Sequence, residues 1–309
     1  MAKAAAIVLA AAASAWGHDV PSVLIAPGVE MPMIAFGTAN SSFKGECTVQ
    51  AGTEQWLKLG GRHIDTAWDY NTQLDVGRAL KASGIPRGEV FITTKLPGPI
   101  GKDKVLELFT KESLPQLGIE YVDLLLIHFP CHHQDFPNKC GEHLKEERLD
   151  TWKGLMELKE KKLIRAAGVS NYLLEQVEEI VEATGSAPAV NQVEWHLGYH
   201  NETLLAGMKK LGVTLEAWSP LAGPTAGLAG HPGVSLSDKH LKALALKHNV
   251  STAQVAFGWS VRKGVVPVTA TCSEAHALGD LATFGFDLED EEIATLDSLK
   301  PQVLDALVV

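Results

Sequence analysis

The 309-residue sequence predicts an α/β fold, a single (β/α)8 TIM barrel preceded by a short β-hairpin. From Met33 onward, short apolar runs alternate with longer segments of helical periodicity, which is typical of repeated βα units around a parallel sheet. Eight such runs are present, and eight βα units favour a closed barrel. With 46% hydrophobic residues the chain can bury a large core, although length alone would also fit two ordinary domains.

The predicted strands cover residues 34–38, 62–66, 90–95, 122–128, 164–170, 189–195, 214–219 and 265–269. The predicted helices between them cover residues 48–59, 74–82, 104–117, 148–161, 173–183, 202–211 and 237–247. Residues 23–31 predict a hairpin at the N-terminal end of the barrel. A doubly wound dinucleotide-binding sheet would need Gly-x-Gly-x-x-Gly after its first strand, where this chain has Ala39-Asn40-Ser41-Ser42.

Residues 1–19 are set apart from the expected barrel domain, residues 20–309. They contain one cation, Lys3, a short apolar run and Ala13-Ser14-Ala15, which is the layout of a secretory signal peptide. A disordered or helical Ala-rich tail is the alternative, so the localisation stays open between the cytoplasm and the secretory pathway or an organelle. The apolar run is too short to cross a bilayer, and no membrane insertion is expected once any signal is removed.

The formal charge of −10 and the pI near 5.6 argue against a nucleic-acid partner or an anionic membrane surface. No run of five or more Lys and Arg residues is present to bind such a partner. The sequence therefore favours a small-molecule substrate, and we expect a monomer.

The four cysteines match none of the close paired spacings of a zinc site, and no metal is expected. Cys131 and Cys140 bracket a loop that contains His132 and His133, with His143 just beyond it. An unstructured polar loop is the preferred interpretation. A loop disulfide and an adventitious metal site are the alternatives.

Four ionisable residues lie where three consecutive predicted strands end. Asp65 ends one strand and Tyr70 follows five residues later, Lys95 ends the next strand, and His128 ends the third. Each residue alone also fits a structural ion pair or a satisfied buried histidine. Their joint placement indicates a site, because the ends of barrel strands converge on one mouth.

These four side chains are suited to protonating an oxyanion while another group attacks its carbon. A phenol has an ordinary pKa of about 10, so Tyr70 needs a nearby cation such as Lys95, which Asp65 would hold in place. His128 would donate from a ring nitrogen to a carbonyl oxygen. Because no serine elbow, reactive cysteine or metal-ligand cluster accompanies them, hydride delivery from a bound nicotinamide fits best.

Several motifs carry a family resemblance. They are Met31-Pro32 with Gly37-Thr38, Arg62-His63-Ile64-Asp65-Thr66-Ala67 through Tyr70, Thr94-Lys95-Leu96, Leu126-Ile127-His128-Phe129-Pro130, Gly168-Val169-Ser170-Asn171-Tyr172, Val190-Asn191-Gln192-Val193-Glu194-Trp195-His196 and Ser219-Pro220-Leu221. In their order and spacing the chain resembles an aldo-keto reductase over nearly all of residues 22–300. The resemblance implies a (β/α)8 barrel, NAD(P)H-dependent carbonyl reduction and a catalytic tetrad with Tyr70 as the general acid.

The same resemblance implies cofactor contacts at the strand ends. Ser170, Asn171 and Gln192 match residues that bind the nicotinamide carboxamide, and Trp218 matches the aromatic residue, most often Tyr, that stacks on the nicotinamide. Core packing is the alternative for Trp218. The remaining implied cofactor residues are Gly37, Thr38, Asp65, Ser219, Leu221, Thr269 and Glu274.

The segment after the eighth strand departs from the family pattern. Val268 replaces the Lys that grips the 2′-phosphate of NADPH, and either Glu274 or His276 replaces the Arg, depending on where a two-residue insertion is counted. A phosphate prefers Arg or Lys partners. NADPH remains the first expectation. A loosened NADPH preference, a switch to NADH with Glu274 or Asp280 on the ribose hydroxyls, and loss of cofactor binding are all compatible with the sequence.

The substrate pocket also differs from that of many family members, because Ala39 and Phe129 stand where those members have Trp. Trp68, Phe129 and Trp195 are the expected apolar wall, although buried structural aromatics would give the same pattern. The long segments 129–149 and 222–234 would cover the C-terminal face as pocket wall and cofactor flap. The expected substrate is an aldehyde or ketone with an apolar body.

The leading hypothesis is therefore an NAD(P)H-dependent oxidoreductase that reduces an aldehyde or ketone to an alcohol. The alternative is a catalytically weak or inactive nucleotide-binding regulatory subunit on the same barrel. The presence of all four tetrad residues favours the enzyme. The loss of the Lys and Arg that bind the 2′-phosphate in the family favours the alternative.

Overall fold

Eight parallel strands close into a barrel in the computed structural model, which describes residues 20–39, 43, 45, 47–137, 139–222 and 231–301. In chain order they are β3 (Ala35–Gly37), β4 (His63–Asp65), β5 (Phe91–Leu96), β6 (Val122–Ile127), β7 (Ile164–Ser170), β8 (Val190–Glu194), β9 (Thr214–Trp218) and β10 (Val265–Thr269). The ring closes where β10 pairs with β3. The predicted (β/α)8 barrel is confirmed, and β7 and β10 have the predicted bounds.

The central strands are buried on both faces, as expected of a parallel sheet covered by helices. All six residues of β6 are buried, including Asp123. Its carboxylate is paired with Arg87 at 2.6 Å and Arg165 at 2.7 Å, which compensates for removing the charge from water.

The predicted hairpin is formed by β1 (Ser22–Ala26) and β2 (Val29–Pro32), which pair antiparallel. Ile25 and Met31 of the hairpin pack in one apolar cluster with Leu124 from inside the barrel. Arg165 Nη2 donates to the carbonyl of Gly28 at 2.8 Å and so anchors the hairpin turn. The hairpin therefore plugs the N-terminal end of the barrel.

The helices in the described part of the chain are α1 (Val49–Lys58), α2 (Gln73–Ser83), α3 (Lys102–Leu108), α4 (Leu114–Leu117), α5 (Lys145–Glu160), α6 (Leu174–Thr184), α7 (Glu202–Leu211), α8 (Lys239–His248), α9 (Thr252–Arg262), α10 (Glu274–Leu281) and α11 (Asp290–Ser298). The predicted helix 104–117 is divided by a π-helical turn, Phe109–Ser113, between α3 and α4. Helices α9, α10 and α11 were not predicted. Much of α9 is buried, so it lacks a one-sided apolar stripe, but the capping box of Ser251 and Gln254 marks its start.

All four cysteines are paired in disulfides, Cys47 with Cys272 and Cys131 with Cys140. The interpretation of the loop after β6 as an unstructured polar segment is therefore wrong. Two 3₁₀ helices, His133–Asp135 and Glu142–Leu144, lie within it.

Buried Arg148 anchors this loop to the barrel. Its guanidinium pairs with both carboxylate oxygens of Glu179, at 3.0 and 2.6 Å, and donates to the carbonyl of Gly141 at 3.0 Å. A buried arginine with its donors satisfied holds the loop in one place.

Two predicted segments lie wholly or partly outside the described residues. They are the signal-like segment 1–19 and the loop 222–234, of which residues 223–230 are not described. None of the described helices has both the length and the apolar character that a bilayer crossing requires.

Helices α2 and α4 approach closely at Gly77. A Cβ at this position would lie 2.6 Å from the carbonyl oxygen of Gln116 and 2.7 Å from that of Leu117. Gly77→Ala should therefore lower the free energy of unfolding by about 1–3 kcal/mol in chemical denaturation, because α4 must shift. Gly88→Ala is the matched control, since nothing lies within 4 Å of a Cβ there. An equal loss in both variants would contradict this account.

Candidate active site

The four residues of the predicted tetrad converge on the C-terminal mouth of the barrel. Asp65 is the last residue of β4, Lys95 lies near the end of β5, and His128 directly follows β6. Tyr70 is carried by the 3₁₀ helix Trp68–Tyr70 that follows β4. Strand ends thus position three members, and a short helix brings in the fourth.

Lys95 is the centre of this group. Its Nζ lies 2.6 Å from Asp65 Oδ1, 3.1 Å from the carbonyl oxygen of Thr66 and 3.3 Å from the hydroxyl of Tyr70. Burial lowers the pKa of Lys95, but the charge and hydrogen bond of Asp65, together with the neighbouring Tyr70 and Glu216, outweigh burial and the net pKa is raised. Lys95 is therefore a fully buried ammonium.

The phenol of Tyr70 is held in its neutral form. Burial raises its pKa to about 12, and the charge of Lys95, which lowers the pKa as expected from the sequence, compensates only in part. Asp65 and Asp69 add to the raising effect. Tyr70 therefore keeps its proton across the ordinary pH range.

Buried Gln192 supports the second oxygen of Asp65 and in turn contacts the buried acid Glu216, and the sequence analysis connected neither residue to Asp65. Gln192 Nε2 donates to Asp65 Oδ2 at 2.8 Å and to Glu216 Oε2 at 2.7 Å. Burial and the nearby Asp65 charge raise the pKa of Glu216. Glu216 lies opposite Gln192 in the pairing of β8 with β9. In the sequence, a buried role for Glu216 could have been inferred from an acid placed between the apolar residues Leu215 and Ala217.

Asp69 is a further residue that the sequence analysis missed. Its Oδ1 lies 3.0 Å from Nδ1 of His128, and the His128 ring stacks on Phe129 with centroids 4.3 Å apart. Burial by itself raises the pKa of Asp69, but the hydrogen bond and charge of His128, together with the charges of Lys95 and His133, outweigh burial and the net pKa is lowered. The signal for Asp69 was an acid immediately before Tyr70.

The residues expected at the nicotinamide carboxamide lie together at the ends of β7, β8 and β9. Asn171 Nδ2 donates to Ser170 Oγ at 3.1 Å and to the carbonyl of His128 at 3.0 Å, and Ser170 Oγ donates to the carbonyl of Gln192 at 2.8 Å. Trp218 Nε1 donates to Asn171 Oδ1 at 2.9 Å, which fixes a partly exposed indole beside the amides. An aromatic face next to fixed amides is compatible with a planar carboxamide ring.

Four more of the expected cofactor residues lie at or directly after the ends of β3 and β9, namely Gly37, Thr38, Ser219 and Leu221. Thr38 Oγ1 donates to the carbonyl of Asp65 at 3.0 Å, and a Cβ on Gly37 would meet Val268 at 2.9 Å. Ser219 has a left-handed backbone with φ of 51°, and Leu221 is partly buried against the core.

The segment expected at the 2′-phosphate, residues 265–281, contains acids and neither Lys nor Arg. Thr269 Oγ1 donates to Asp280 Oδ2 at 3.0 Å, and burial raises the pKa of Asp280 to about 6. Glu274 and His276 are exposed on the first turn of α10. No Lys or Arg within residues 265–281 is available to pair with a phosphate. Asp280 is hydrogen-bonded to Thr269, whereas the side chains of Glu274 and His276 face solvent.

The three expected pocket aromatics have different surroundings. Phe129 is buried between His128 and His133. Trp68 is partly buried, and its Nε1 donates to Glu112 at 2.8 Å. Trp195 is fully buried and stacks on Trp259 of α9 with centroids 5.7 Å apart, which favours the structural alternative for this residue.

Comparison with known proteins agrees with this geometry. A sequence model described as the Aldo/keto reductase family matches residues 33–301. The 9,11-endoperoxide prostaglandin H2 reductase of Trypanosoma cruzi is 34% identical over 274 residues, which is 88% of each chain. The glyoxal reductase of Bacillus subtilis is 35% identical over 273 residues, 88% of this chain and 90% of that protein.

Solved structures show the same relationship. The crystal structure of a Bombyx mori aldo-keto reductase in complex with NADP has a TM-score of 0.80 and 30% identity to this chain. The match covers 90% of this chain and 92% of that one. Because the family model matches residues 33–301 and a relative is 34% identical over 88% of each chain, this chain belongs to the aldo-keto reductase family.

Proposed function

We propose that this protein reduces an aldehyde or ketone to an alcohol with a reduced nicotinamide dinucleotide, and that Tyr70 is the general acid. The observation that carries the proposal is the contact of Lys95 Nζ with both Asp65 and Tyr70 at the barrel mouth. A fixed ammonium compensates negative charge on the phenol oxygen as its proton leaves. The name of the Bacillus subtilis relative and the NADP bound to the Bombyx mori enzyme support this reaction class.

Each residue has one role in the proposed reaction. A bound reduced cofactor would supply a hydride to the carbonyl carbon. Tyr70 gives its phenolic proton to the carbonyl oxygen, and Lys95 compensates the charge left on Tyr70. Asp65 keeps Lys95 charged and in place. Protonated His128 donates to the carbonyl oxygen from the ring nitrogen that Asp69 does not engage, and so holds the substrate in place.

We propose NADPH as the cofactor, bound without a strong 2′-phosphate clamp so that NADH is also accepted. Ser170, Asn171, Gln192 and Trp218 would hold the nicotinamide end, and their mutual hydrogen bonds support that role. Val268 stands where the family has Lys, and residues 265–281 contain no Lys or Arg, so this segment offers no cation to discriminate strongly between the two cofactors.

A nucleotide-binding regulatory subunit is the weaker candidate. A regulatory barrel would not need a buried ammonium that contacts a neutral phenol, whereas a reductase does. The contacts of Lys95 therefore support the enzyme.

The phenol of Tyr70 should remain protonated up to about pH 11 in the cofactor-free protein, because burial raises its pKa to about 12. Titration by ultraviolet absorbance, taken as the difference between wild type and Tyr70→Phe, should show no phenolate at or below about pH 10. A phenolate signal in that range that disappears in Tyr70→Phe would overturn the assigned protonation.

Tyr70→Phe should lower kcat for aldehyde reduction by about 10²–10⁴-fold, because the variant keeps the ring and loses the transferable proton. Cofactor oxidation with a panel of aldehydes measures the rate, and fluorescence titration checks that cofactor affinity is retained. Tyr121→Phe is the matched control, since Tyr121 precedes β6 at the opposite end of the barrel. Equal rates for wild type and Tyr70→Phe would remove Tyr70 from its role.

Val268→Lys should tighten NADPH binding by about 5–30-fold and leave NADH binding nearly unchanged, because a new cation would meet the 2′-phosphate. Fluorescence titration of both cofactors measures the change. Val268→Met, which adds length without charge, should not discriminate between them. Failure of the wild-type protein to bind either cofactor would refute the reductase proposal.

A further inference from the structure

The contact between Asp69 and His128 is specific and sheltered. The atoms Oδ1 and Nδ1 lie 3.0 Å apart, and the two side chains are 24% and 7% exposed. The His128 ring is held between Phe129, which stacks on it, and Tyr70, which meets it edge-on with centroids 5.5 Å apart. The plane of the imidazole is therefore fixed by packing, and the carboxylate engages one of its two nitrogens.

A carboxylate can only accept a hydrogen bond, so Nδ1 of His128 must carry a hydrogen. A neutral imidazole has one hydrogen, which leaves Nε2 with a lone pair, and only an imidazolium has N–H groups at both positions. Among the described residues, none forms a hydrogen bond with Nε2 of His128. Nε2 is therefore the atom left for a ligand.

Several charged and titratable groups face this pair. Asp69 and Tyr70 lie on the 3₁₀ helix, Asp65 on β4 and Lys95 on β5, and His133 lies behind Phe129. Burial lowers the pKa of His128 below its usual 6.5, Asp69 and Asp65 oppose this shift, and Lys95 adds to it. The free protein at neutral pH therefore holds His128 mainly neutral, with its proton on Nδ1.

We propose that Asp69 is a positioning residue that makes the protonation state of His128 select between a carbonyl and an alcohol ligand. With Nδ1–H committed to Asp69, protonated His128 donates from Nε2 and holds a carbonyl oxygen. Neutral His128 accepts at Nε2 and holds an alcohol hydroxyl. Only hydrogen bonds change in this step, because the proton that enters the product still comes from Tyr70. The inference rests on the proposed carbonyl reduction and adds a proton-dependent preference for substrate or product.

The proposal predicts opposite pH dependences for the two ligands. As pH rises through the pKa of His128, kcat/KM for an aldehyde should fall by up to about tenfold per pH unit, because the donor at Nε2 is lost. Inhibition by the corresponding alcohol should become stronger over the same interval. A histidine that carried its neutral proton on Nε2 would show neither trend.

The first test reads the tautomer directly and does not depend on activity. In protein labelled with ¹⁵N-histidine, the ring nitrogen shifts of His128, assigned by comparison with His128→Gln, should show the Nδ1–H tautomer at neutral pH. Asp69→Asn should shift the ring toward Nε2–H, because the amide N–H of asparagine can donate to Nδ1. An Nε2–H tautomer in the wild-type protein would overturn the proposal.

The second test compares pH profiles of kcat/KM from about pH 5 to about pH 9. Asp69→Asn should be slower than wild type at the acid end and faster at the alkaline end, so that the two curves cross. Asp75→Asn is the matched control, because among the described residues this carboxylate pairs with Arg78 alone, on the surface of α2. Curves for wild type and Asp69→Asn that run parallel would refute the proposal, since a merely structural role lowers activity at every pH.

The two tests separate the inference from the function on which it rests. Absence of reductase activity with every aldehyde would count against the proposed function, while the nitrogen shifts would still decide which tautomer Asp69 imposes. An Nδ1–H tautomer together with crossing profiles would support both.

Discussion

The buried ion pair between Lys95 and Asp65 is the constraint on which the barrel mouth depends. Removing two charges from water costs several kcal/mol per ion, and the cost is offset only where geometry is good and the remaining hydrogen-bonding groups are satisfied. Here Thr66 and Tyr70 contact the ammonium and Gln192 contacts the carboxylate. These partners come from the residue directly after β4, the 3₁₀ helix and β8, so the pair is compensated only when opposite sides of the barrel meet in register. Stability of the fold and assembly of the site are in this sense the same requirement.

A continuous set of polar contacts connects the proton-donating side of the mouth with the expected cofactor side. Asn171 contacts the carbonyl of His128 on one side and the indole of Trp218 on the other, while Gln192 joins Asp65 to Glu216. Buried polar groups linked in this way are costly to leave unpaired, so loss of one member disturbs the others. Substitutions within this set should therefore combine non-additively, unlike substitutions at distant positions.

The barrel could be predicted from the sequence because buried parallel strands are continuous apolar runs, as in Val122–Ile127. The meeting of Asp65, Lys95 and His128 followed from the ends of their strands, and Tyr70 was added to them because it follows Asp65 by five residues. The contact of Asp69 with His128 could not be predicted, because it joins residues 59 apart in sequence and depends on the direction of a 3₁₀ helix. Trp195 was placed in the pocket because a tryptophan beside a strand end fits a pocket or a core equally well. Its partner Trp259 lies on a helix that the periodicity did not reveal.

The disulfide between Cys47 and Cys272 has a consequence for the barrel as a whole. Strands β3 and β10 are the first and last of the ring, and their pairing is short, with Ala35 opposite Val268 and Phe36 opposite Thr269. The two cysteines stand just before the helices that follow these strands, so the bridge spans the seam of the barrel and encloses a segment with a sequence separation of 225 residues. With the bridge formed, the segments that follow β3 and β10 are covalently joined, so the first and last strands of the barrel cannot separate far from each other. The closing of so long a loop acts mainly on the unfolded chain, whose freedom it reduces.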